Sequence, residues 1–137
     1  LLITFVLKDI SGQMGMTDFM IKVAEPFLFA SIFPAAVFVL GALLAFTTGS
    51  DWGMSSIITP IVFPLGAALG ANPVLIMAAV ISGGTFGSHA CFYADATLLA
   101  SQSAGVDNME HALTQLPYVI ISAVLAIGGF VIAGFMV

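Results

Sequence analysis

Two stretches of this chain, Phe27–Phe46 and Tyr118–Val137, contain no Asp, Glu, Lys or Arg. A helix needs about 20 consecutive apolar residues to cross the hydrocarbon of a bilayer, and both runs are that long. Nothing else in the sequence limits the fold so strongly. The rest agrees: 137 residues carry two basic and seven acidic side chains, and charged residues make up 7%, against about 25% in a soluble domain. So few charges cannot clothe a water-facing surface. The apolar runs are continuous rather than alternating, which favours α-helices over a β-barrel. The expected fold class is an all-α membrane protein, multi-pass and integral to the membrane.

Prolines and glycines divide the chain. Residues 1–26 read as the end of a preceding helix and an interfacial connection. Leu1–Leu7 is too short to span, and Lys8–Glu25 is polar-mixed, with a short interfacial helix around Thr17–Ala24. Because an apolar run is already in progress at Leu1, the expectation is a C-terminal piece of a longer protein. Residues 27–69 read as a helical hairpin. Its first arm carries Pro34, expected to kink it. Its break is Thr47-Thr48-Gly49-Ser50-Asp51-Trp52-Gly53, and its returning arm, Ile57–Leu69, is short and interrupted by Pro60 and Pro64. Residues 74–103 read as an interrupted helix, loosened at Gly83, Gly84 and Gly87 and resuming near Thr97. A short helix over 108–116 follows, announced by the capping-box spacing of Asp107 and Glu110. Pro117 then opens the last span, 117–137.

Each interruption is polar and holds one aspartate, Asp51 or Asp95. Backbone that leaves a helix within a membrane exposes unpaired N–H and C=O groups, and survives only inside protein or beside a water-filled cavity. An aspartate at bilayer depth adds about 2.5–3.5 kcal/mol on insertion scales. A bound cation offsets both. Na⁺ is hard and prefers oxygen, as Mg²⁺ and Ca²⁺ do. Asp95 is the first candidate for an ion or proton carrier and Asp51 the second. Thr48, Ser50, Ser88 and Thr97 are candidate oxygen ligands, and His89 is a candidate relay or orienting group. Desolvation favours the neutral acid, whereas a bound cation favours the ionised one. One carboxylate can therefore hold H⁺ or Na⁺ in competition, and a site facing each side of the membrane in turn would exchange them.

Three segments carry a family resemblance. "FTTGSDWGMSSIITPIVFPLG" is similar to F-x-T-G-T-S-W-G-T followed by an apolar arm with P-x-x-x-P. "SGGTFGSHACFYADATLLAS" is similar to G-x-x-F-G-D-H-C-S-P-x-S-D-T-T-x-x-S-S, and "HALTQLPYVI" to H-x-x-T-Q-L-P-Y. Together they resemble the NhaC-type Na⁺/H⁺ antiporter family of the ion-transporter superfamily. The resemblance implies a longer protein of two inverted repeats. This piece would be the second: a transporter half with a re-entrant helical hairpin, a broken helix and a closing transmembrane helix. It places Asp95 and Thr97 on the D-T-T segment, with Ala96 departing. Phe86, Gly87 and His89 fall on F-G-x-H, and Gly49, Trp52 and Gly53 on the first motif. Trp52 is expected at the pocket on this ground alone. Two departures are coupled: Ser88 stands where the family has Asp, and Asp51 where it has Ser. The second carboxylate is expected to have crossed from the broken helix to the hairpin tip. The run "ACFY" makes the pocket bulkier and less polar than the family pattern.

Relatives of that family also exchange organic acids coupled to Na⁺ and H⁺. A Na⁺-coupled exchanger of small organic acids is therefore the alternative to Na⁺/H⁺ antiport. A structural membrane subunit is a blander reading, in which Asp51 and Asp95 lie far apart or in water. Asp95 as a simple helix cap is another. An enzyme is not expected: Ser50 or Ser88 with His89 lacks a G-x-S-x-G context and a third partner. His89, Cys91 and Asp95 fit no zinc spacing, so no metal is expected beyond Na⁺, and no cofactor beyond the transported Na⁺ and H⁺. The expected partners are the lipid bilayer, the N-terminal repeat of the same protein and a second copy in a homodimer. Gly66-x-x-x-Gly70 is read as close packing within the fold rather than as a dimer motif. With no Arg and no basic patch, nucleic acid is not an expected partner. The expected location is a bacterial-type plasma membrane.

Overall fold

The punctuation seen in the sequence becomes helix ends. The computed structural model describes residues 29–136, and every regular element among them is an α-helix: α1 (Phe33–Thr48), α2 (Asp51–Leu69), α3 (Pro73–Ala90), α4 (Asp95–Ala104) and α5 (Asn108–Met136). The connection expected over residues 1–26 lies outside the described residues. Pro34 falls in the first turn of α1, where its missing N–H is not needed; it starts the helix rather than kinking it. Gly49 ends α1 at φ +65° and donates its N–H to Ala45 O at 2.8 Å. Asn72 Oδ1 accepts from Val74 N at 2.8 Å and Pro73 opens α3.

Among the described residues, three helices are long and apolar enough to cross a membrane: α2, α3 and α5, of 19, 18 and 29 residues. The chain is an all-α integral membrane protein. The returning arm of the hairpin is longer than expected. It runs back to Asp51 and passes through Pro60 and Pro64 without a break, reaching about 28 Å at 1.5 Å per residue. Each proline forfeits one backbone bond. The buried stripe Met54, Ile58, Val62, Leu65 holds the helix against its neighbours at every turn. Pro117 likewise lies inside a single helix, so the expected short helix and last span are one element. Transmembrane helices tolerate proline where neighbouring groups re-satisfy the backbone.

Packing centres on α1 and α3. The buried face of α1 includes Val37, Phe38, Gly41, Ala42 and Ala45; that of α3 includes Ala79, Val80, Gly83, Gly84 and Gly87. Both sets recur at three and four residues, the spacing of one helical face. A Cβ at Gly83 would lie 2.7 Å from Phe38 O and 3.1 Å from Ala42 N, and one at Gly87 would lie 2.6 Å from Ala42 O and overlap Ala45. The glycines expected to loosen α3 are where α1 touches it most closely.

These contacts also fix direction. Phe38 and Ala42 pair with Gly83, and Ala42 and Ala45 with Gly87, so α1 and α3 run parallel. Gly66 of α2 meets Ile76 and Phe33 while Asp51 meets Gly84, so α2 runs antiparallel to both. Gly66 thus packs within the fold, and Gly70 is the left-handed cap of α2 at φ +72°. Helix α5 lies antiparallel to α1: Gly134 abuts Ser31, and the rings of Phe130 and Phe38 stand 5.6 Å apart. Most of its large side chains, from Tyr118 to Phe135, stay exposed.

Close approach of backbones rather than side-chain volume holds α1 to α3, so Gly83→Val should lower the thermal midpoint of the purified full-length protein in detergent, costing about 1–3 kcal/mol as overpacking does. Gly128→Ala, at a site with nothing within 4 Å, should leave the midpoint in place. Scanning fluorimetry of the two variants side by side checks both.

Candidate functional site

Because α1 and α3 are parallel and end at Thr48 and Ala90, their C-termini lie at the same end of the bundle. The first interruption is short. Thr48 Oγ1 donates to Leu44 O at 2.8 Å and accepts from Ser50 N at 3.4 Å. Ser50 is the N-cap of α2, its Oγ accepting from Gly53 N at 3.1 Å. The candidate ligands Thr48 and Ser50 are therefore engaged in closing the turn.

The second interruption, Cys91–Ala94, is wider and is stitched by side chains. Thr97, 2% exposed, donates its hydroxyl to Cys91 O at 2.9 Å, with Ser88 O at 3.4 Å. Asn108 Nδ2 donates to Phe92 O at 2.6 Å, and Asn108 Oδ1 accepts from Ser101 Oγ at 3.1 Å. Carbonyls freed by the end of α3 are thus satisfied by α4 and α5, as buried polar groups must be. Ser88 is buried and donates to Thr85 O at 3.0 Å.

The two interruptions meet. Tyr93 Oη donates to Thr47 O at 2.7 Å, and the Tyr93 ring covers Gly49 so closely that a Cβ there would lie 2.8 Å from Cδ2. The rings of Phe46 and Phe92 stand 6.4 Å apart, edge to face. One turn lower, the carboxylate of Asp51 rests on α3 in the space left by Gly84: a Cβ there would overlap Asp51 Oδ1 and lie 2.8 Å from Met54 Cε. Gly84 and Ser88 are four residues apart, on one face of α3.

The candidate residues are thus only partly gathered. Asp51 is half-buried between α2 and α3, on the α3 face that carries Ser88. Asp95 is the first residue of α4 and is exposed. It lies two residues, about 200° of helix, from the inward-facing Thr97. The N-cap of α4 is Ala94, with no side-chain cap bond, so Asp95 does not cap it. His89 is exposed, with Nδ1 2.8 Å from Thr85 O. Trp52 is 87% exposed, outside the site formed by the described residues. Asn108 reaches Phe92, and Leu116 lines one groove with Phe46 and Ala90, so the interruptions stand level with the polar first part of α5, not its uncharged middle.

Three contributors do not stand out in the sequence. Tyr93 sits in the "ACFY" run expected to be less polar, yet its hydroxyl ties the two interruptions. Asn108 is visible there only as part of the capping box, in which Asp107 Oδ1 accepts from Met109 N at 2.9 Å and Glu110 N at 3.3 Å. Gly84 carries no signal beyond its place in a glycine cluster, because only a partner helix reveals what its missing side chain admits.

A family model described as the Na⁺/H⁺ antiporter family matches residues 1–135. A Haemophilus influenzae protein is 32% identical over 140 residues, 98% of this chain and 26% of the relative. The malate-2H⁺/Na⁺-lactate antiporter of Bacillus subtilis is 29% identical over 126 residues, 89% of this chain and 26% of the relative. An arginine/ornithine antiporter of Halobacterium salinarum is 27% identical over 122 residues, 89% of this chain and 25% of the relative. The chain therefore spans about a quarter of the length of these relatives. No solved structure matches.

Thr97→Val keeps the shape but leaves Cys91 O without its donor, a loss of about 1–3 kcal/mol for a buried acceptor. The expected outcome is a lower thermal midpoint even without Na⁺, with Thr97→Ser close to the parent. A midpoint that falls only when Na⁺ is present would make Thr97 an ion ligand rather than a stitch.

Proposed function

This chain belongs to the Na⁺/H⁺ antiporter family, and on that premise we propose that it is part of a secondary active antiporter that exchanges Na⁺ for H⁺ at Asp51. The observation that carries the proposal is the seat of the Asp51 carboxylate on Gly84. It reaches the α3 face of Ser88, where the family pattern has a carboxylate. The charge has changed helices while staying on the same surface.

The chemistry follows from the charge balance. Both basic residues of the sequence are lysines, Lys8 and Lys22, outside the described residues. His89 and His111 are the only other side chains able to carry positive charge. No Lys or Arg stands among the described residues to neutralise a carboxylate at this junction, which supports a mobile cation there. Protonation serves at low pH and Na⁺ at high Na⁺, and one group cannot hold both well. In this reading Asp95 is the second carrier, its exposed face covered by the rest of the full-length protein. Ser50, Thr48, Ser88 and Thr97 present oxygen from already closed turns, so they shape the site more than they wrap an ion. His89 lies on another face of α3.

The second reading, Na⁺-linked exchange of small organic acids, is favoured by a specific observation. One relative carries malate and lactate in its name.

The test is Na⁺-dependent proton flux by the full-length protein in sealed vesicles. Asp51→Asn should lower the flux at least tenfold, and Asp51→Ser with Ser88→Asp should restore much of it. Gly84→Ala keeps the charge but displaces the carboxylate, and should raise the Na⁺ concentration for half-maximal flux severalfold. Full activity in Asp51→Ser alone would end the proposal. Proton flux driven by malate or lactate gradients but not by Na⁺ alone would move it to the second reading.

A further inference from the structure

Two opposed contacts tie the hairpin of α1 and α2 to the broken helix of α3 and α4. The hairpin lays the Asp51 carboxylate on Gly84 of α3. The broken helix sends one side chain back, that of Tyr93. Its Oη donates to Thr47 O at 2.7 Å, with Phe46 O at 3.3 Å. These carbonyls lie in the last turn of α1, where a helix has no N–H of its own left to offer, and the phenol supplies the missing donor. Among the described residues, no other hydrogen bond joins the hairpin to α3, α4 or the segment between them.

Both ends of this link are held. At its base, the carbonyls of Cys91 and Phe92, the two residues before Tyr93, accept from Thr97 Oγ1 at 2.9 Å and Asn108 Nδ2 at 2.6 Å. At its far end the ring covers Gly49, whose φ of +65° and lack of a Cβ leave room for it. From Gly49 the chain reaches Asp51 in two residues. Thr48 Oγ1 closes that turn on Ser50 N at 3.4 Å, and Ser50 Oγ closes it on Gly53 N at 3.1 Å. Little slack separates what Tyr93 grips from the carboxylate. The hydrogen bonds of Tyr93 go to Phe46 and Thr47 and not to Asp51, so its hold on the carboxylate is through the position of the turn. The contacts form a closed path: Thr97 and Asn108 fix the base of Tyr93, Tyr93 fixes the turn, the turn starts α2, and Asp51 returns to α3.

We propose that Tyr93 is a positioning residue for the exchange: by docking the hairpin turn on the broken helix it keeps Asp51 seated on Gly84, and so sets how tightly the cation is held. This rests on the Asp51 reading and deepens it. A bond made only while the turn is docked favours the docked arrangement, and apparent affinity falls as the competent arrangement is depopulated. One hydroxyl-to-carbonyl bond shifts such an equilibrium by about threefold to tenfold. The ring has a separate part, filling the space over Gly49. Removing the hydroxyl alone therefore loosens the seat without opening a hole above it.

The experiment compares Tyr93→Phe with the parent full-length protein in sealed vesicles, reading proton flux against Na⁺ concentration. Tyr93→Phe should raise the Na⁺ concentration for half-maximal flux about threefold to tenfold, with the maximal rate little changed, the pattern of lost binding. The shift should vanish in a Gly84→Ala background, because a carboxylate already displaced gains nothing from a docked turn; residues that act through one another fail to add. Spin labels on Trp52→Cys and Leu99→Cys, both exposed positions, read the docking itself. The parent should give one narrow distance without Na⁺, and Tyr93→Phe a broader one. A thermal midpoint for each variant keeps loss of folded protein apart from loss of affinity. An unchanged half-maximal Na⁺ concentration, a shift that persists in full beside Gly84→Ala, or an unchanged distance overturns the proposal. So does a maximal rate that falls in step with the thermal midpoint while the half-maximal concentration stays in place, which is the mark of a merely structural tyrosine. The two readings fail separately: full activity in Asp51→Ser sinks the exchange at Asp51, whereas a Tyr93→Phe protein equal to the parent beside an inactive Asp51→Asn sinks the positioning role alone.

Discussion

Everything near the site depends on how closely α1 and α3 approach. Gly83 and Gly87 offer no side chain, so the backbone of α1 lies where Cβ atoms would otherwise stand. In a bilayer, burying apolar area drives helix association weakly, since lipid is as apolar as leucine, and close packing through small residues takes over. Two consequences follow from that one contact. The parallel pair brings the ends of α1 and α3 together, which is why two interruptions far apart in sequence share one location. The same glycine-rich face continues to Gly84, where it admits the carboxylate of Asp51.

The interruptions differ in how they are made. The first is a two-residue turn closed by its own hydroxyls, at Thr48 and Ser50, and by the left-handed Gly49. The second opens four residues of backbone and depends on distant side chains, Thr97 and Asn108, to satisfy its carbonyls. Tyr93 then links the second to the first across 46 positions of sequence. Serine and threonine in these segments mostly close the backbone, and the carboxylates are left as the groups whose charge the local fold does not settle.

Much of this is legible in the amino-acid order itself. Uncharged runs give the membrane class, Gly49 and Ser50 mark the hairpin turn, Asn72-Pro73 opens α3, and Asp107 caps α5. These signals are local: a cap, a turn or an apolar run acts through its own residues. What stays hidden depends on neighbours. Gly83, Gly84 and Gly87 look like weak points because glycine disfavours an isolated helix, whereas a partner helix makes their bareness the reason for the contact. Pro60, Pro64 and Pro117 look like boundaries because each deletes a backbone bond, yet helices of 19 and 29 residues run through them. Tyr93 looks merely bulky because its hydrogen-bond acceptor lies on another helix. Depth is the hardest quantity to read, since a sequence records which residues are apolar and not which are level with one another.

The geometry of the junction also bears on its electrostatics. Helices α1 and α3 end there and α2 and α4 begin, and the last turn of α4 and the start of α5 lie beside them, where Asn108 bonds Phe92 and Ser101. A helix carries roughly half a positive charge at its start and half a negative charge at its end. These opposed terminal partial charges largely cancel, and the field that the backbone contributes fades quickly with distance. Among the described residues, the charge at this junction therefore rests on side chains: Asp51 and Asp95, with Asp107 and Glu110 at the adjoining start of α5.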